Sequence, residues 1–210
     1  MRRFQTKRRK NRNRLTRKNY LSKLYELYPK CLHDTLPNDE SYGKNVTTYG
    51  EMNYKGLEDL YNYIKEKYNI STFMDVGSGR GKLCMHMANN PEIKKVIGIE
   101  IVKNRHNDAL KLLEQLESSY AKKVSLIHGD ICNEDVKHLF NKKGNVLVWM
   151  SNLCFSHEVS SAIYDRLLQI LPKGSIIACS NKLKNEEPND NIKCQMSWNE
   201  QGSNVNIYVI

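Results

Sequence analysis

The chain has 210 residues, 40% hydrophobic and 27% charged, which suits one globular domain with a small appendage. No apolar run approaches the ~20 residues of a membrane span, and the basic N-terminus has no apolar stretch behind it, so it does not read as a secretory signal. The net charge of +10 is concentrated: residues 2–18 hold ten bases and no acid, and removing them leaves 23 bases against 23 acids.

That basic block comprises Arg2, Arg3, Lys7, Arg8, Arg9, Lys10, Arg12, Arg14, Arg17 and Lys18. Such blocks stay solvated alone and bind polyanions, so the block reads as a nucleic-acid-binding tail. With about six phosphate contacts, affinity would fall roughly 10³-fold between ~50 and ~200 mM salt. A nuclear-targeting tail is the plainer alternative; a membrane-surface role lacks the apolar face it needs. Residues 15–28 place Leu21, Leu24, Tyr25 and Tyr28 at helical spacing, stopped by Pro29. Residues 29–50 have no period and read as a loop crossing the body. Residues 53–68 put Leu57, Leu60, Tyr61, Ile64 and Tyr68 on one helical face. The expected organisation is a tail over 1–18, a helix and loop over 19–52, and one α/β domain over 53–210.

The next segment carries the chemistry. A strand over 72–76 ends in the acid-bearing run Asp75-Val76, then turns through Gly77, Gly79 and Gly81 into a helix over 81–89. Glycine allows positive φ and close backbone approach to a ligand. A second strand, 95–99, leads into Glu100, placed to meet the two hydroxyls of a ribose. A nucleoside cofactor follows. The dinucleotide fingerprint is GxGxxG, whereas this turn is GxGxG. A phosphate loop needs GxxxxGK followed by Ser or Thr; here three residues separate Gly77 from Gly81, and Leu83 follows Lys82. S-adenosylmethionine fits best, because its cationic amino-acid tail suits a turn headed by Asp75 and it has no pyrophosphate to cradle. A nicotinamide-type site and a ligand-free turn are the lesser alternatives.

Strands and helices continue to alternate: helix 103–119, strand 123–127, helix 134–140, strand 145–150, helix 157–170 and strand 175–180. A polar loop over 184–191 follows. The last segments, 192–199 and 203–210, flank a turn at Glu200-Gln201-Gly202 and read as an antiparallel hairpin. Alternation of this kind predicts a doubly wound, mostly parallel sheet. With the terminal hairpin it is the Rossmann-like class I methyltransferase pattern. Six cysteines (Cys31, Cys84, Cys132, Cys154, Cys179, Cys194) form no CxxC pair, and His86, His106, His128, His138 and His157 show no metal spacing. Reduced thiols in an intracellular protein without a bound metal are expected.

With these elements placed, the chain resembles the disruptor-of-telomeric-silencing family of histone lysine methyltransferases, which use a class I fold in place of a SET domain. The resemblance covers roughly residues 48–210. It rests on TYGE (48–51), DVGSGRGK (75–82), GIE (98–100), HGDI (128–131), MSNLCFSHEV (150–159), GSIIACSNKL (174–183) and SW (197–198). It implies methyl transfer from S-adenosylmethionine to a lysine in the core of histone H3 on nucleosomes, leaving S-adenosylhomocysteine. It also implies a chromatin or nuclear location, a nucleosome partner contacted partly through DNA, a monomer and no membrane. Lysine and asparagine abundance points to an AT-biased genome, such as a large virus with its own factory or a protist.

Residue by residue, the resemblance places Asp75, Gly77, Gly79, Gly81 and Lys82 around the cofactor's methionine end, with Tyr49 and Glu51 closing over it. Glu100 would hold the ribose. Asp130 would accept from the adenine amino group, with Ile131 beside the ring. Ser151, Asn152 and Phe155 would line the entry of the substrate lysine, with Asn152 also touching the cofactor; Tyr49 would belong to the catalytic group as well, and Trp198 would help wall the channel. The family pattern differs here at Ser151, where it has Asn; at Ile131, where it has an aromatic; and at Lys82, where it has a neutral polar residue. An apolar channel favours the neutral amine over the ammonium, so no dedicated base is required. The alternative function is an RNA or DNA methyltransferase; SNLCF lacks the prolines that amino-group base methyltransferases carry after strand four.

Overall fold

The computed structural model describes residues 51–183 and 185–210. The basic block at 2–18, the helix expected over 15–28 and Tyr49 lie outside the described residues. Seven strands form one sheet in the order β3-β2-β1-β4-β5-β7-β6. They are β1 (Ile70–Val76), β2 (Lys95–Glu100), β3 (Val124–His128), β4 (Asn145–Met150), β5 (Ile176–Cys179), β6 (Asp190–Met196) and β7 (Asn199–Val209). The first five run parallel, and β7 is antiparallel to both β5 and β6.

All seven residues of β1 are buried, because helices cover both faces of a parallel sheet. Alternate side chains therefore feed two cores. Phe73, Leu147 and Trp149 pack with Leu57, Leu60 and Ile64 of α1 (Tyr54–Lys65) and with Met85 of α2 (Lys82–Ala88). Met74, Val148 and Met150 pack on the other face with Ile163, Leu167 and Ile170 of α5 (His157–Ile170). Ser156 caps α5 by accepting from the Val159 N–H at 3.2 Å. No helix among the described residues is long and apolar enough to cross a membrane.

Three expected elements differ. The helix over 103–119 divides into α3 (Lys103–Glu114) and one short turn, α4 (Ser118–Ala121). The helix over 134–140 is a single 3-10 turn, Lys137–Leu139. There Asp130 and Asp135 accept from the backbone N–H groups of Cys132 and Lys137, local bonds that compete with helix. The hairpin turns at Ser197-Trp198, not at 200–202: Met196 pairs with Asn199, whereas Cys194 pairs with Ser203. Gly202 lies inside β7 at φ 92°, in a bulge held by Asn199, whose amide donates to the Gly202 carbonyl at 3.0 Å. A positive-φ glycine marks a bulge as well as a turn, and the pattern of residues does not separate the two.

The hairpin also fixes the segment before α1. Ser197 donates its N–H to the Glu51 carbonyl (2.7 Å) and accepts the Glu51 N–H on Oγ (3.1 Å); Met52 bridges Met196, and Asn53 N–H reaches the Gln195 carbonyl. Gly56 makes this possible. A Cβ there would sit 2.3 Å from the Gln195 carbonyl oxygen, a backbone atom that cannot move aside cheaply. Gly→Ala within an exposed helix gains about 1 kcal/mol. Here the sign should reverse: Gly56→Ala is expected to destabilise the protein by about 1–3 kcal/mol, read as a lower thermal midpoint. An unchanged or higher midpoint would contradict the close packing of α1 on β6.

Candidate active site

The site forms where β1 and β4 lie side by side and the chain leaves in opposite directions, the switch point at which open α/β sheets bind ligands. After β1 the backbone turns through Gly77, Gly79 and Gly81, all at positive φ (78°, 53° and 72°). The Gly77 and Ser78 N–H groups both donate to the Ile99 carbonyl at 2.9 Å, tying the turn to β2. At Gly81 a Cβ would meet the Ala109 Cβ at 3.0 Å, so α3 also closes on the turn.

Three carboxylates converge there. Glu100, at the end of β2, accepts from Gly79 N–H (2.6 Å) on one oxygen and from Val102 N–H (2.7 Å) on the other. Burial raises its pKa, against the pull of the Val102 bond and of Arg105. Asp75 is 3% exposed, and no donor among the described residues meets it. Its pKa is pushed up to about 8, first by burial and then by the charges of Glu100 and Glu51. The third, Glu51, is bound to the Lys82 ammonium at 2.9 Å, and the Lys82 side chain is only 4% exposed. Lys82 thus enters the site as half of an ion pair.

Beside the turn is a cavity of about 380 Å³. Its walls are mostly apolar: Val76, Gly77, Ile99, Ile101, Ile131 and Phe155, with Asp130 among them. Phe155 lies over Gly77, its ring tip 3.7 Å from where a Cβ would stand. One Asp130 oxygen is used by the Cys132 N–H at 2.9 Å. A planar base with one amino group matches the shape and chemistry of this space.

At the end of β4, Asn152 is 1% exposed and its amide is engaged. It donates to the Asn181 carbonyl (3.2 Å) and accepts from the Asn181 N–H (2.7 Å), while the Asn181 amide returns a bond to the Asn152 carbonyl. Asn152 therefore clamps the ends of β4 and β5. Asn206 of β7 extends the clamp by donating to the Ser180 carbonyl at 3.0 Å. Ser151 stays partly exposed at the strand end. Trp198 is 43% exposed at the hairpin tip, adjacent to the Ser197 that holds Glu51. Asn181, Asn206 and Ser197 carry no signal as single residues; only their partners give them meaning.

This sheet order, with a glycine turn, an acid at the end of β2 and a cavity between them, defines a class I methyltransferase. The methyltransferase domain of bacterial CtHen1 has the same fold, with a TM-score of 0.56 at 15% identity over 75% of this chain and 99% of that one. More particularly, the family model "Histone methylation protein DOT1" matches residues 31–202, and the chain belongs to that family. The "Histone-lysine N-methyltransferase, H3 lysine-79 specific" of Caenorhabditis elegans is 32% identical over 145 residues, 65% of this chain. The protein of that name from Drosophila melanogaster is 24% identical over 151 residues, 69% of this chain. The chain spans only 15% and 8% of the length of these two relatives. The resemblance read from the sequence is thus confirmed.

S-adenosylmethionine is the cofactor of this class, and the residues fit it: a buried acid with no donor among the described residues suits a cationic tail, and the apolar cavity suits an adenosine. The raised Asp75 pKa gives a test. A carboxyl whose folded pKa exceeds its unfolded value contributes stability below the unfolded value, near 4, and loses it as pH rises through about 8. Without cofactor, the thermal midpoint should fall across that window. Asp75→Asn should flatten the fall and raise the midpoint at pH 8 by a few degrees, at about 2–4 °C per kcal/mol. The same substitution should weaken binding of S-adenosylhomocysteine. A midpoint that Asp75→Asn leaves equally pH-dependent would contradict the burial of an ionisable carboxyl here.

Proposed function

We propose that this chain is a histone-lysine methyltransferase acting on a lysine in the core of nucleosomal histone H3, with S-adenosylmethionine as methyl donor. The observation that supports it most is Asp75, a buried carboxylate that no donor among the described residues meets, beside an adenosine-sized apolar cavity in a chain of this family. The cofactor supplies an activated methyl group on a positively charged sulfur. Everything else falls to the protein.

Glu100 is fixed by two backbone N–H groups and presents its remaining acceptor capacity to the ribose. The second Asp130 oxygen accepts from the adenine amino group, with Ile131 and Phe155 packing on the ring. Asp75 and Glu51 compensate the ammonium of the tail. Lys82 takes the tail's carboxylate by exchanging partners with Glu51. Phe155 and Trp198 form an apolar entry that excludes water, so the incoming ammonium sheds its proton to solvent before it arrives. Ser151 is the polar group left to orient the amine. Asn152 acts as a positioning residue by holding the loop that carries Phe155.

The ten bases of residues 2–18 hold nucleosomal DNA, placing the protein at chromatin. The family relatives named for histone H3 support the substrate, as does the absence of a proline-bearing base-methylation motif after β4.

The exchange at Lys82 can be measured. Lys82→Gln should weaken S-adenosylhomocysteine binding by roughly 10- to 100-fold, the loss of one hydrogen bond to a charged group, while sparing a decarboxylated analogue. Equal losses for both ligands would refute contact with the carboxylate.

The function itself is tested by offering labelled S-adenosylmethionine with intact nucleosomes, free histones, naked DNA and RNA. Label on histone H3, dependent on the intact nucleosome, is the expected result. Label on DNA or RNA with none on histones would overturn the proposal. Replacing the ten bases with Ala should abolish nucleosome labelling at moderate salt and leave cofactor binding intact.

A further inference from the structure

The five parallel strands start on one edge of the sheet, opposite the site, and lysines precede them. Lys94 and Lys95 enter β2, Lys122 and Lys123 enter β3, Lys142 and Lys143 enter β4, and Lys173 enters β5. Two of these are used internally. Lys123 donates to the Ala88 and Asn90 carbonyls at the end of α2, and Lys94 donates to the Pro91 carbonyl. The other five, Lys95, Lys122, Lys142, Lys143 and Lys173, are exposed. None of the five makes an ion pair with any described residue. The two further lysines at this edge, Lys65 and Lys67, are matched by Glu92 and Asp190.

The turns that carry these lysines are fixed. Asn141 and Lys143 exchange hydrogen bonds at 3.0 and 3.4 Å, and Gly144, at φ 98°, packs on Ser71. After Lys173, the Gly174 N–H is tied to the Ile210 carbonyl at 2.7 Å. The lysines are therefore presented in a row. From β3 to β5 the row crosses four strand spacings, about 19 Å at ~4.8 Å each. Duplex DNA carries one charge per ~1.7 Å of axis, so such a row matches a groove-length of phosphates. The opposite edge carries both signs: Glu51, Asp75, Glu100 and Asp130 lie there with Arg80, Lys82 and Arg105. Outside residues 2–18 the chain has 23 bases and 23 acids, so the balanced count conceals this row of exposed lysines.

We propose that this lysine edge is a second nucleic-acid surface, which binds the phosphate backbone of duplex DNA without reading sequence. It rests on the reading of a DNA-wrapped substrate, but not on methyl transfer for its measurement.

The full-length protein and a variant with Lys95, Lys122, Lys142, Lys143 and Lys173 all changed to Gln are titrated with a fluorescent duplex over a series of salt concentrations. Each phosphate contact contributes about 0.9 to the slope of log affinity against log salt. The variant should lose about 3–4 from that slope and about 10-fold or more in affinity, and a variant with Arg at the five positions should retain both. The thermal midpoint and S-adenosylhomocysteine binding, which report the fold, should not change. An unchanged slope would overturn the proposal and leave the lysines as guards against aggregation of the apolar strands they precede. So would a variant that loses only its binding to phosphatidylserine vesicles. If the slope falls and no histone is ever labelled, the duplex surface stands and the proposed substrate fails.

Discussion

Asp75 lies next to the end of β1, a strand buried on both faces, so its charge has to be met inside the protein. The side chain is 3% exposed, no donor among the described residues reaches it, and Glu100 and Glu51 add repulsion. A cationic ligand removes this penalty when it binds. The protein thus holds part of its ligand affinity as a local destabilisation of β1, a trade often found between stability and function.

The other parts of the site follow from keeping that arrangement in register. The positive-φ glycines bring the turn back onto β2, where Glu100 can grip Gly79. Glu51 is held at the same place by Ser197, 146 residues later, at the hairpin tip, and by its ion pair with Lys82. Gly56 lets α1 lie directly on β6. The hairpin therefore serves as a strut for the segment that carries Glu51, with Trp198 exposed at its tip. The Asn152–Asn181 clamp plays the same part for Phe155.

Much of this was legible in the sequence. The central strands, the glycine turn and Glu100 are local patterns with fixed spacing, and Lys82 and Asp130 follow by position in that frame. What the sequence did not show depends on distance or on ambiguity. Gly202 marks a bulge although its type and setting suit a turn. The run from Asp130 to Asp135 satisfies its own backbone and so never becomes the helix that the alternation suggests. The engagement of Asn152 requires knowing that Asn181 stands beside it. The lysine edge is invisible in composition, because the count balances and only the parallel topology gathers those residues on one side.

The central claim is that Asp75 is held in the protonated range by its surroundings and is restored to a carboxylate by a cationic cofactor. Carbon-13 NMR of the Asp75 side-chain carboxyl, titrated with and without S-adenosylhomocysteine, whose tail ammonium supplies the charge, tests it directly. The account predicts a midpoint near 8 alone and a fall toward the ordinary range of about 4 with the ligand bound. A midpoint near 4 in both states, or one that the ligand does not move, would contradict it.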